Sequence, residues 1–105
     1  MSIGWYTLLE GIDVNSGSIN HDFYNNRKLS DYDMLIFTVE KDGNFRNPLF
    51  FPRSKFTVTG SKLEIDYSNA DTTRYILFLY SDDTSVDIRG TEGAKAYLYG
   101  IKLSN

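Results

Sequence analysis

Of the 105 residues, few have types and spacings that could do chemistry. They are the single histidine, His21, and the close carboxylate pairs Asp31 and Asp33, Glu64 and Asp66, and Asp82 and Asp83. A serine nucleophile would need an imidazole that is held by a carboxylate and touches the hydroxyl. Asp22 adjoins His21, but neighbours along a strand point to opposite faces, so His21 reads as a surface or edge residue. Two carboxyls a set distance apart could hydrolyse a glycoside. Glu64 and Asp66, however, occupy the solvent positions of an alternating strand, and Asp82-Asp83 has the composition of a turn. Asp31-Tyr32-Asp33 lacks the longer series of oxygen ligands that a calcium loop needs, and reads as a turn or strand entry. With no cysteine there is no thiolate metal site, and no glycine-rich phosphate loop opens a helix. The expected protein is not an enzyme and carries no cofactor or metal.

Recognition fits the composition better than catalysis. Eight tyrosines, seven phenylalanines and one tryptophan exceed what a minimal core requires. Tyrosine offers an apolar ring with a polar tip, which suits sugar stacking and wet interfaces. Rings and short polar groups in turn-rich segments make Trp5, Tyr24, Asn25, Asn26, Tyr32 and Asp33 the candidate ligand-binding residues. Sugar faces would stack on the rings while amides and carboxylates took the hydroxyls.

The elements that must position these residues are strands. Short apolar runs recur from Trp5 to Leu103, separated by turn formers, and no helical stripe is present. Asp42-Gly43 lies between Met34–Val39 and Phe45–Phe51 and predicts a tight hairpin. Gly60-Ser61 separates Phe56–Thr59 from Lys62–Tyr67, two alternating runs that predict a second hairpin. Arg74–Tyr80 is apolar on both faces, as a central strand covered on each side would be, or one whose outer face meets a partner. Pro48 and Pro52 bracket a segment suited to a sheet edge or bulged corner. About eight or nine strands result, the count of one all-β, antiparallel β-sandwich domain over residues 1–105, of jelly-roll or related Greek-key type. Its expected core is Leu35, Phe37, Val39, Phe56, Val58, Leu63, Ile65, Leu77 and Leu79.

The formal net charge of −3, with scattered lysines and arginines, does not favour nucleic acid as a partner. No apolar span reaches the length of a membrane helix, and Met1-Ser2-Ile3-Gly4 runs straight into strand-like sequence without a signal peptide. A soluble, stand-alone chain is expected, held by packing alone.

Trp5–Gly11, Ser16-Gly17-Ser18-Ile19 and Leu29–Phe37 resemble the opening of small β-sandwich modules of bacteriophage virion proteins. In these a short strand ends in glycine, an "SG-I" start follows, and "L--Y--L" enters an apolar strand. The closing Tyr97–Leu103 is similar to the "I-YGIKL" ending of those modules, found on tail fibres, baseplates and head fibres. The resemblance implies a virion protein, assembled in the host cytoplasm, that associates with itself and with other virion proteins. A trimer is expected from that likeness and because Tyr75–Tyr80 and Tyr97–Leu103 are apolar on both faces, the second of which a closed symmetric assembly would bury. It also implies a role in attachment to a bacterial surface saccharide. Two alternatives stand beside it: a free carbohydrate-binding module of bacterial origin, and a small glycan hydrolase acting through the acidic pairs.

Overall fold

The structure, a computed structural model, describes residues 1–104 and is a two-layer β-sandwich. Nine strands form it: β1 (Ser2–Asp13), β2 (Ile19–Asp22), β3 (Met34–Lys41), β4 (Asn44–Phe45), β5 (Leu49–Pro52), β6 (Lys62–Asp66), β7 (Tyr75–Asp82), β8 (Ser85–Gly90) and β9 (Lys95–Ser104). One sheet runs β1-β9-β3, with β4 and β5 sharing the far flank of β3; the other runs β2-β8-β7-β6. All pairings are antiparallel. First strand pairs with last and second with next to last, so the two ends of the chain wrap the molecule. Local hairpins fill the middle.

The Asp42-Gly43 hairpin forms as the sequence predicts, with both residues at positive φ, 53° and 82°, in the manner of a type I′ turn. The proline-flanked segment is the interrupted edge formed by β4 and β5. A second hairpin at Gly60-Ser61 does not form. After Pro52 a single 3-10 turn, Arg53–Lys55, bends the chain, and Phe56 drops fully into the core with its ring edge-on to Tyr80 at 5.6 Å. Phe56–Thr59 is therefore a corner, and Val58, placed in the core by its alternation with Phe56, is 63% exposed. The alternation was real, but it had no neighbouring strand to pair with.

A second correction concerns β7. Its core residues are Ile76 and Phe78, which align with Ile65 and Leu63 on β6 and with Gly90 and Ile88 on β8. Leu77 and Leu79 point away from the core, aligned with Glu64 and Lys62 on one side and Arg89 and Asp87 on the other. Leu77 is still only 6% exposed. Aliphatic stems of such flanking charged chains can cover it while their heads stay in water. A strand apolar on both faces hides its phase, and only the partners reveal it. Leu35, Phe37, Val39, Phe56, Leu63 and Ile65 lie in the core as expected.

Close approach explains two glycines. A Cβ at Gly90 would overlap the carbonyl oxygen of Tyr75, and one at Gly100 would meet the ring of Tyr32, which lies flat beneath β9. Register shifts along β1 after Thr7 and Leu9, with Gly11 at φ 65°, let the consecutive residues Leu8 and Leu9 both turn inward.

Candidate interaction surface

Counting outward by twos from the register of the five-stranded sheet gives the face turned away from the core. Trp5, Ile101 and Met34 lie in one row across it, and Thr7, Tyr99 and Ile36 in the next. The Trp5 ring leans on Tyr99 at 5.2 Å, and across the sheet Phe45 leans on Tyr97 at 5.1 Å. Between these ring pairs the surface is low, because Ile36, Thr38 and Ile101 are covered by their neighbours. Trp5 is 57% exposed, and Ile3, Phe45 and Phe50 project beside it or across from it to similar degrees. Charge collects at one end, where Lys95 Nζ contacts Asp13 Oδ1 at 2.8 Å and holds that carboxyl below its ordinary range.

The six residues singled out in the sequence do not converge. Trp5 belongs to this outer face. Tyr24, Asn25 and Asn26 form one 3-10 turn after β2, with Asn25 and Asn26 at φ 58° and 53°. The Tyr24 hydroxyl grips β1 from the side, accepting from Glu10 N–H at 3.2 Å and donating to Glu10 C=O at 3.1 Å. Asn26 lines an open cleft of about 240 Å³ with Asp22, Phe23 and Thr84. Tyr32 is 4% exposed, packed between Gly100 and the ring of Tyr6 at 5.6 Å, and offers no free face for stacking. Asp33 Oδ2 accepts from Leu103 N–H at 2.7 Å and pins the end of β9.

Three of the other paired carboxylates are also occupied. Asp82 accepts from Thr84 N–H at 2.8 Å and Ser85 Oγ at 2.9 Å, and Asp66 accepts from Ser68 N–H at 2.9 Å; both are held below the ordinary carboxylate range by these bonds. Asp83 takes the Ser30 amide and hydroxyl at 2.8 and 2.6 Å. A general acid working near neutrality needs its pKa raised, the opposite of what turn hydrogen bonds do to Asp66 and Asp82. His21 Nε2 is buried with no bonding partner among the described residues, and burial pushes its pKa down against the pull of Asp87. Among the described residues no cluster of potential metal ligands occurs.

Tyr97, Tyr99, Phe45 and Phe50 were not among the expected site residues. For Tyr97 and Tyr99 the signal was present in the closing strand, where Tyr97–Leu103 carries large apolar groups on both faces, whereas Phe45 and Phe50 lie on β4 and β5. Searches against protein-family models, curated proteins and solved structures returned no match.

Proposed function

We propose that this protein is a non-enzymatic bacteriophage virion component, part of a tail, baseplate or fibre, that docks on a neighbouring virion protein and so supports host attachment. The observation carrying this reading is the outer face of the five-stranded sheet. Its exposed Ile3, Trp5, Phe45 and Phe50 form an apolar and aromatic surface of the kind that marks protein contacts. Ile and Phe side chains cannot hydrogen-bond sugar hydroxyls, so the chemistry of this face favours a protein partner over a saccharide.

The test is detection of the chain in purified particles, followed by complementation with Phe45→Glu and Phe50→Glu. We expect wild-type protein in the particle and loss of incorporation for the variants, with monomer folding intact by circular dichroism. Absence of the wild-type chain from particles overturns the reading.

One observation favours a second reading, binding of a cell-surface saccharide. The Trp5 and Tyr99 rings form a tilted pair at the open flank of the sheet, with Tyr99 Oη facing Glu10 Oε2 at 3.5 Å. Stacking sites for sugars combine a ring face with such polar groups. Retention of host cell-wall polysaccharide by wild type but not by Trp5→Ala would favour it. Turnover of a glycan panel, abolished by Asp31→Asn or Asp33→Asn, would instead support a hydrolase.

A further inference from the structure

A sheet edge exposes unpaired backbone groups, and proteins ordinarily close such edges with prolines, charges, short strands or overlying side chains. Three of the four edges here are closed in these ways. The β4–β5 edge carries Pro48 and Pro52; β6 reads Lys62-Leu63-Glu64-Ile65-Asp66, with charges at alternate positions; β2 is only four residues long. The remaining edge is β1, and it is closed over only part of its length. Arg27 Nη1 donates to Thr7 C=O, and Tyr24 Oη takes both groups of Glu10.

Thr7 C=O thus points outward, and by the period of two so do the backbone groups of Trp5 and Ile3. No hydrogen bond reaches these groups among the described residues. The uncovered segment, Ser2-Ile3-Gly4-Trp5-Tyr6, carries no charged side chain, no proline and no bulge.

We infer that Ser2–Tyr6 is a strand-pairing site and that its occupant is the same segment of a second copy, giving a two-fold antiparallel β1–β1 contact. This inference rests on the backbone edge of β1; Ile3 and Trp5 are shared with the outer face, whose docking role is tested separately at Phe45 and Phe50. Because the other edges are closed, the open strand that another copy presents is again its own β1. An axis through Gly4 sets Ile3 opposite Trp5 of the partner copy, and the two resulting hydrogen-bonded pairs exchange roughly four main-chain bonds. The apolar Ile3 and Trp5 side chains then cover one another across the junction, and no charged side chain of Ser2–Tyr6 itself enters it.

With mainly Ile3, Trp5 and part of Tyr6 to bury, the contact falls below the roughly 1,200 Å² of a stable complex. The pair is therefore reversible and concentration-dependent, and strengthens when several copies sit on one particle. The contact is isologous, so it yields a dimer rather than the trimer that the resemblance to fibre modules implies.

Sedimentation equilibrium from micromolar to near-millimolar protein, with amide hydrogen exchange at both extremes, tests this. We expect monomer passing to dimer, with the Ile3 and Trp5 amides becoming protected as dimer forms. The Gly4 and Tyr6 amides face β9 and should exchange alike at both concentrations. Ile3→Pro, which removes one outward donor, should abolish the dimer. If that variant unfolds, Trp5→Lys, a side-chain change that brings like charges into the contact, should weaken the dimer at least tenfold. A monomer throughout, a trimer, or a dimer in which the Ile3 and Trp5 amides stay unprotected overturns the inference.

Discussion

His21 is the residue whose titration should be visible near neutral pH. Its Nε2 is buried without a bonding partner and its pKa is pushed down by that burial. The unfolded chain, with an imidazole near the usual ~6.5, therefore binds the proton more tightly than the folded one. His21 contributes no penalty above that value, and stability falls as pH drops below it and levels off below the folded-state pKa. Chemical denaturation at pH 7.5 and 5.5 should show wild type losing more stability on acidification than His21→Gln. An equal loss in both would place the acid sensitivity elsewhere. Asp13, Asp66 and Asp82 shift downward and so lose their contribution only below the ordinary carboxylate range, well separated from the histidine window. Gly90 gives a second residue-scale test, because a methyl there meets backbone rather than a movable side chain. Gly90→Ala should cost on the order of 1–3 kcal/mol or more by thermal or urea unfolding.

At the scale of elements, β7 and the Phe56 corner make the sharpest comparison. Phe78→Ala, which empties a fully buried ring position, should cost about 3–5 kcal/mol, whereas Val58→Ala should stay within ~0.5 kcal/mol. Equal costs would mean that the corner packs otherwise than described. These two sites also show what the sequence could and could not reveal. Alternation and turn residues located most of the strands, because they reflect local rules that hold before any partner is chosen. Phase was lost on β7, where both faces are apolar, and strand was mistaken for corner at Phe56–Thr59, where the deciding fact is pairing. The expected site suffered for the same reason. Tyr32 and Asp33 look like loop residues by composition, yet Gly100 and Leu103, some seventy positions along the chain, bring them to structural work. The outer face escaped notice because its rings come from strands that sequence places far apart.

For the whole molecule, stability rests on one core between two sheets, without disulfides, and the wrapping of both chain ends around it makes β9 central. Ile101, Leu98 and Ala96 pack against neighbours on β1 and β3 alike. Removing the last strand should therefore unfold the domain rather than trim it, and a chain ending at Gly93 should show no cooperative transition in a thermal melt. A retained transition would separate β9 from the folding unit.

The Tyr24 hydroxyl has a bearing on solubility. Segments of roughly six or seven residues, uncharged and free of proline, suffice to seed amyloid-like stacking. The bare part of β1, Ser2–Tyr6, falls just short of that length, and the phenol bonded to both groups of Glu10, together with Arg27 on Thr7, is what keeps it short. Tyr24→Phe with Arg27→Ala would leave the whole strand bare, and thioflavin-positive fibrils should then form where the wild type stays clear. One oxygen atom and one guanidinium would thus mark the boundary between a pair that can separate and a polymer that cannot.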